Sequence, residues 1–330
     1  MSREADKSTQ TMKVVTVRGE IPVEQLGFCL PHEHAFVDLA RVLPTQLLAY
    51  DYQLIDHVLI HEEVAEYVHA VEASPFADYG RPGLVELTNG PRIGRDPRAL
   101  SHLSEELDLH VVMSCGWYRE PWCEPELGHR SVNELARQLV DEIEHGVDGT
   151  GIRPGIIGEL GADRDFVSPL EERVLRAGAR AHRSTGLSIT LHARASRVAL
   201  SQIEVLAEEG VDPHCIIVGH TDSVHDPEYH HELARLGVWV EFDVLRGKVP
   251  YAAERGVRYI FEARRRGYAS QLLLSGDVGA LSHLHAFGGT GYDYLPSTLA
   301  IRLADAGLSF DELRQLFVDN PRRALTAGQE

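Results

Sequence analysis

The chain has 330 residues, of which 43% are hydrophobic and 25% are charged, and its formal net charge is −18 at pH 7. This composition is typical of a soluble globular protein with one large domain or two average ones. The excess of acidic residues argues against nucleic acid and anionic membranes as partners, because both require a basic protein surface.

The N-terminus and the cysteines indicate a cytoplasmic protein. Residues 1–13 are polar and lack the apolar core of a signal peptide, so we expect a flexible tail there. No stretch of the sequence approaches the roughly 20 apolar residues of a membrane span. The four cysteines are scattered and form no CxxC motif, which favours reduced thiols over a disulfide framework.

Eight short apolar runs recur along the chain, rich in leucine and β-branched residues. Such runs are typical of parallel strands that are buried on both faces. The runs end near Leu30, Leu87, Met113, Ile157, Leu191, Val218, Val240 and Leu274.

The segments between these runs carry helix signals. Residues 44–72 have a helical pattern and form an extended connection after the first strand. Asp96 and Asp226 each precede a proline, as an N-cap residue often does. Ser168 and Glu171 form a capping box before a helix over 171–184, and Ser309 opens a last helix in the same way.

Eight strands that alternate with helices predict an α/β protein with a single-domain (β/α)8 (TIM) barrel over residues 14–330. The alternative is an open, doubly wound sheet. No GxGxxG motif follows the first run, so nothing in the sequence favours dinucleotide binding.

Metal-ligating side chains stand at the ends of five of the runs. His32 and His34 directly follow the first run, and residues i and i+2 of a strand point to the same face. One HxH motif is weak evidence, since about one is expected by chance among 18 histidines. Four more such residues end later runs, and the carboxyl ends of barrel strands are where catalytic groups converge. These residues are Glu159, His192, His220 and Asp277.

This set of four imidazoles and two carboxylates predicts a metal site. Each residue taken alone has a structural explanation, such as a buried hydrogen bond or a loop cap, but five strand ends together favour metal. Nitrogen and oxygen ligands suit Zn²⁺, Mn²⁺, Co²⁺ or Fe²⁺, with zinc as our first expectation. Six ligands exceed what one tetrahedral zinc ion needs, whereas two ions that share a bridging carboxylate would use all of them.

The motifs in order along the chain resemble the phosphotriesterase family of the amidohydrolase superfamily. They include LGFCLPHEHAFVD at the start, GRDP, SCGWYR, GELGADRDFVSPLEERVLRAGARAHRSTGLSITLHA, VGHTD, SGDVG and the closing DNPRRAL. The resemblance runs from about Val14 to Leu325. It implies a (β/α)8 barrel that holds two divalent metals, and it also favours a homodimer.

The resemblance also implies a role for each ligand. His32, His34 and Asp277 would hold the more buried metal, and His192 and His220 the more exposed one. Glu159 falls where many members carry a carbamylated lysine, so this sequence looks like the branch in which a glutamate forms the bridge. Organophosphate hydrolysis resides mostly in the lysine branch, and other members resemble lactonases, esterases or amide hydrolases.

The expected function is therefore binuclear metal-dependent hydrolysis of a small molecule. A hydroxide that bridges the metals would attack a lactone, ester or amide carbonyl, and Asp277 would accept its proton. The alternatives are a phosphotriesterase proper and a catalytically silent metal- or ligand-binding barrel.

Substrate contacts are expected in two loops. The resemblance places Tyr118 near the leaving group or the exposed metal as a catalytic residue, with Trp117 beside it as a substrate contact, although packing at the barrel mouth would also explain an aromatic residue there. Arg246 and Lys248 follow the run that ends at Val240, and they could bind an anionic substrate group or form solvated surface charge. A glycine-rich stretch after Asp277 contains His283 and His285, which we expect in a lid or beside the metal ligands.

Overall fold

The structure, a computed structural model, describes residues 11–42, 50–246 and 250–329. The predicted tail falls mainly on residues 1–10, which lie outside this part of the chain, and Lys13 already belongs to a strand. In chain order the strands are β1 Lys13–Thr16, β2 Gly19–Pro22, β3 Leu26–Glu33, β4 Val37–Asp38, β5 Gln53–Leu54, β6 Arg81–Glu86, β7 His110–Cys115, β8 Ile156–Gly161, β9 Ile189–His192, β10 Ile216–Gly219, β11 Trp239–Phe242 and β12 Leu272–Leu274.

Eight of these strands form one parallel sheet, in which each strand pairs with its neighbours in chain order from β3 and β6 through to β12. Backbone hydrogen bonds also join the two ends of the sheet. The Asp277 amide donates to the His32 carbonyl at 3.1 Å, and the His34 amide donates to the Val278 carbonyl at 3.1 Å. The predicted barrel is therefore confirmed, and all eight apolar runs are strands.

The helices alternate with the barrel strands, as the βα pattern requires. In chain order they are α1 His57–Glu72, α2 Pro97–Glu106, α3 Val132–His145, α4 Pro169–Thr185, α5 Ala199–Glu208, α6 Pro227–Leu236, α7 Pro250–Arg266, α8 Ala300–Asp305, α9 Phe310–Arg314 and α10 Asn320–Thr326. A π-helical turn, Gln315–Asp319, joins α9 to α10. No helix within the described ranges has the length and apolar character needed to cross a bilayer.

The predicted helix starts hold where a cap residue marks them. Asp96 and Asp226 accept hydrogen bonds from backbone amides of the first turns of α2 and α6, and Ser168 forms a capping box with Glu171 at α4. The helix predicted over 44–72 is confirmed only for α1. Residues 43–49 lie outside the described ranges, and β5 pairs with β4 as a short antiparallel ribbon instead.

Period-two alternation along the strands separates two cores. One set of side chains packs outward against the helices, such as Val111 and Val240, and the other fills the barrel interior, such as Val112 and Ile217. The β1–β2 hairpin contributes Val14 to the interior core, at the end of the barrel where the strands begin. The opposite end, where the strands finish, carries the polar residues.

Candidate metal centre

The barrel brings all six predicted metal ligands together at the carboxyl ends of its strands. Three groups of three potential ligand atoms, each group with its atoms within 4.8 Å of one another, occur among the described residues, and one of them combines His32 and His220 with Asp243. The other two consist of predicted ligands alone. One group comes from His32, His34 and Asp277, and the other comes from Glu159, His192 and His220.

The second group is tightly packed around one carboxylate oxygen of Glu159. This Oε1 lies 2.6 Å from His192 Nδ1 and 2.9 Å from His220 Nε2, and the two nitrogens are 2.8 Å apart. Gly219, just before His220, leaves space for the neighbouring His32 ring, because a Cβ there would lie 3.1 Å from His32 Cε1 and 2.8 Å from the Leu191 carbonyl oxygen. Three lone-pair donors so close together require a shared proton or a cation among them.

The first group is more open. The Asp277 Oδ1 atom lies 3.5 Å from His34 Nε2 and 3.9 Å from His32 Nε2, and Glu159 Oε1 is 3.6 Å from the same His32 nitrogen. His32 is fully buried, and its Nε2 has no hydrogen-bond partner within the described residues. An unpaired buried nitrogen that faces two carboxylates fits a cation, since burying such a group without a partner is costly. The donors therefore fit metal cations, and Glu159 Oε1 lies near both groups.

The Nδ1 atoms of His220, His32 and His34 each have a hydrogen-bond partner. His220 Nδ1 donates to Asp243 Oδ1 at 2.8 Å, and His32 Nδ1 donates to Glu241 Oε2 at 2.9 Å. His34 Nδ1 is 3.0 Å from Thr88 Oγ1. Carboxylates on Nδ1 keep the proton there, so Nε2 of His32 and of His220 stays free to bind a metal.

Sequence reasoning missed Glu241 and Asp243. Strand β11 continues two residues past the predicted end at Val240, and Asp243 directly follows its last residue, Phe242. Trp239, Glu241 and Asp243 are buried at a spacing of two, the period of one strand face. Both carboxylates are fully buried. Their spacing in WVEFD was the signal that could have identified them, because acidic residues on the buried face of a central strand need a partner.

Neighbouring imidazole and guanidinium groups keep the carboxylates of Glu159 and Asp277 anionic. Burial alone raises the pKa of Glu159, but the His192 and His32 imidazoles hold this pKa well below its usual range. Burial likewise raises the pKa of Asp277, and His34 and Arg246 lower it below its usual range. Burial lowers the pKa of His220, but Asp243 and Glu159 outweigh this effect and raise it to about 10. This imidazole thus holds a proton that a bound cation would replace.

Glu33, between the two histidines of the HxH motif, fixes the loop that carries Asp277. Its Oε1 accepts hydrogen bonds from the Ser275 hydroxyl and the Gly276 amide, both at 2.7 Å, and its Oε2 accepts one from the Val278 amide at 2.6 Å. Asp277 itself has φ +47°, a backbone conformation that few non-glycine residues adopt. The hydrogen bonds from this loop to Glu33 stabilise the conformation of Asp277.

Of the four predicted substrate contacts, only Tyr118 lines the cavity over the candidate ligands among the described residues. Tyr118 lines the cavity over the ligands, and its hydroxyl is 3.5 Å from His192 Nδ1. Trp117 is only 7% exposed and packs in the outer core instead. Arg246 donates to the Gly276 carbonyl at 2.5 Å and lies 3.4 Å from Asp277 Oδ2, so it is already paired. Lys248 falls outside the described residues.

The two histidines after Asp277 take part in loop contacts. His283 Nδ1 accepts a hydrogen bond from the Gly279 amide at 3.2 Å, and His285 Nε2 pairs with Asp293 at 2.5 Å. Neither belongs to a candidate metal group among the described residues. Their expected place beside the ligands or in a lid therefore remains a prediction.

Comparison with known proteins agrees with the fold. The profile of the phosphotriesterase family matches residues 12–325. The phosphotriesterase homology protein of Escherichia coli is 32% identical over 295 residues, covering 89% of this chain and 96% of that protein. Its crystal structure, with phosphate in the active site, superposes with a TM-score of 0.83 over 91% of this chain and 98% of that chain.

Two other relatives carry names of hydrolytic activities. The human N-acetyltaurine hydrolase is 27% identical and covers 97% of this chain and 99% of that protein. A lactonase from Listeria monocytogenes is 27% identical, with a TM-score of 0.85 over 95% of this chain and 99% of that chain. These matches span nearly the whole barrel, so the chain belongs to the phosphotriesterase family.

Proposed function

We propose that this protein is a hydrolase that uses two divalent metals to cleave a carbonyl substrate, namely a lactone, an ester or an amide. The observation that carries the proposal is the position of Glu159, whose Oε1 lies 2.6–3.6 Å from His192, His220 and His32. One carboxylate oxygen thereby faces both candidate groups. Hydrolase relatives named for an amide and for lactones support the substrate class.

Two divalent metals, when bound, would supply a water of lowered pKa and polarise the substrate carbonyl. Asp277 accepts the proton of the attacking water at Oδ1, the oxygen that faces His34. Arg246 holds the other oxygen, Oδ2, at 3.4 Å and so keeps the carboxylate oriented and anionic. Asp277 then returns the proton to the leaving group.

Tyr118 contributes on the other side of the cavity. Its ring packs edge-on against His192, with centroids 5.0 Å apart, and its hydroxyl faces the cavity. Burial raises the pKa of this hydroxyl, so it remains protonated at neutral pH and acts as a hydrogen-bond donor. We assign Tyr118 to the substrate carbonyl oxygen or the leaving group.

A phosphorus centre is the second candidate for the reacting atom. It is favoured by the phosphate that occupies the active site in the crystal structure of the Escherichia coli relative. Phosphate resembles the product of phosphoester hydrolysis more than that of amide hydrolysis, and the same groups would act on a phosphoryl oxygen.

The test is a hydrolysis panel on protein loaded with Zn²⁺ or Mn²⁺. It compares lactones, N-acyl amino acids, carboxylic esters and paraoxon, with Asp277→Asn as the inactive control. We expect turnover of at least one carbonyl class and near-zero turnover of paraoxon. Brisk paraoxon hydrolysis alone would make the phosphotriesterase alternative the main activity. Less than one metal per chain after growth in metal-rich medium would favour the silent barrel.

The predicted homodimer and cytoplasmic location belong to this proposal as well. A molar mass measured by light scattering on the full chain decides the first, and a value of one chain would remove it. Fractionation of cells that express the protein decides the second.

A further inference from the structure

The cavity over the candidate metal centre has a positively charged side chain, Arg194, among its lining residues. Its wall is apolar on one side, with Val37, Leu39, Leu87 and Ile93. The polar side carries the metal-ligand candidates, two tyrosines and Arg194. Arg194 is the sole arginine or lysine that lines this cavity within the described residues, and it comes two positions after His192.

Arg194 differs from the other arginines near the site in having no carboxylate partner among the described residues. Arg246 pairs with Asp277 at 3.4 Å, and Arg119 pairs with Asp163 at 3.2 Å. Arg194 instead interacts with the Tyr52 hydroxyl, and Asp277 acts on it only at longer range. Its side chain is exposed to the cavity mouth, so its positive charge is available to a ligand.

The backbone holds this arginine in place. Ala195, the next residue, has φ +54°, a conformation that costs free energy for a residue with a Cβ. Its amide donates to Ser223 Oγ at 2.7 Å, and Ser223 Oγ donates to the His220 carbonyl at 2.5 Å. The backbone of the loop that carries Arg194 is thereby tied to the backbone of His220, a candidate metal ligand.

We propose that Arg194 and Tyr52 form an anion subsite, and that the substrate is a small carbonyl compound with a carboxylate or sulfonate some atoms away from the bond that is cleaved. This inference rests on the proposed function and specifies its substrate class. The chain as a whole has a charge of −18 and repels anions at long range, so a local cation is needed to bind one. The apolar wall faces the uncharged part of such a substrate.

The experiment uses the metal-loaded full chain and compares amides that carry an anionic group on one side of the amide bond with an amide that carries none. N-acetyl-β-alanine carries the anion on the amine side, N-propylsuccinamate carries it on the acyl side, and N-propylacetamide is neutral. We expect wild type to prefer one anionic amide. We expect Arg194→Gln to lower kcat/KM for that amide by about 10-fold or more, mainly through KM, because a charged hydrogen-bond donor is lost. Arg194→Gln should lower kcat/KM for the neutral amide much less than for the anionic one, and Arg194→Lys should restore part of the loss.

Arg197→Gln is the matched control. Arg197 lies in the same loop region and pairs with Asp226 and Glu232 outside the cavity, so its loss changes the net charge equally. A similar loss in both variants would reduce the effect to long-range electrostatics and overturn the subsite. Equal losses for charged and neutral amides in Arg194→Gln would do the same.

A binding measurement separates failure of the subsite from failure of the proposed function. If wild type hydrolyses none of these amides, calorimetric titration with N-acetyl-β-alanine still reports on Arg194. A dissociation constant about 10-fold weaker in Arg194→Gln supports the subsite. Equal constants in the two proteins, or no binding to wild type at millimolar concentration, overturn it.

Discussion

Replacement of Asp243 by asparagine should weaken metal binding at one of the two proposed metal sites and leave the other largely unchanged. Asp243 accepts two hydrogen bonds from His220, one from Nδ1 on Oδ1 at 2.8 Å and one from the backbone amide on Oδ2 at 2.6 Å, and its Oδ2 also lies 3.2 Å from the His32 Nδ1 donor. An asparagine has one acceptor oxygen, which will stay with the two donors. Its NH2 group then faces His220 Nδ1 and forces the proton of this imidazole onto Nε2, the nitrogen that faces Glu159.

The magnitude follows from the loss of one oriented ligand. A partner of this kind typically contributes 10- to 100-fold in metal affinity, or about 1.4 to 2.8 kcal/mol. The effect should fall on the site of His192 and His220. His32 should be less affected, because Glu241 also accepts its Nδ1 proton at 2.9 Å.

Glu241→Gln is the matched control, since it makes the same change of a carboxylate oxygen to NH2 two residues earlier in the chain. The second oxygen of Glu241, Oε1, has no hydrogen-bond partner within the described residues, so the NH2 group can take that position. The metal affinity of Glu241→Gln should then differ from that of the wild type by less than about 3-fold, which is less than the loss of one hydrogen bond would cause.

The assay is metal content by mass spectrometry after dialysis against graded chelator concentrations. Wild type should lose its metals in two steps, and Asp243→Asn should lose its first metal at a lower chelator concentration than wild type does. Two outcomes would refute the reasoning: wild-type retention of both metals in Asp243→Asn, or an equally large loss in Glu241→Gln.

Three further predictions test the ligands and the fold. Glu159→Ala should lose both metals, because Oε1 of Glu159 faces both groups, and full metal occupancy in this variant would remove the bridging role. Metal loading of the wild type should be the same with and without bicarbonate. Asp277→Asn should retain most of its metal and lose about 100-fold or more in kcat, and an unchanged kcat would contradict its assigned role. Burial and the charge of Arg81 lower the pKa of His110 to about 4, so the unfolded chain binds more protons below neutrality and stability falls as the pH drops. Between pH 7 and pH 5 this shift should contribute about 2 kcal/mol, and urea unfolding of His110→Gln should show a pH dependence smaller by that amount.

Local sequence patterns were sufficient to predict the barrel and the polar residues that meet at the carboxyl ends of its strands. The apolar runs mark strands because buried parallel strands need continuous apolar side chains, and Ser168 or Asp226 marks a helix start because its side chain caps amides of its own first turn. Glu159, His192 and Asp277 could be identified from their places at run ends. The closed barrel then brought these ends together without further information from the sequence.

The partners of these residues could not be predicted in the same way. His32 and Asp243 are more than 200 positions apart, and only barrel closure places one ring nitrogen against the other's carboxylate. Arg246 and Arg194 look equivalent in the sequence, yet one is neutralised by Asp277 and the other lines the cavity. The sequence by itself determined which chemical groups reach the rim. Tertiary structure decided which charges remain free for a substrate, because hydrogen bonds and ion pairs depend on distances of a few ångströms between elements that are remote in the chain.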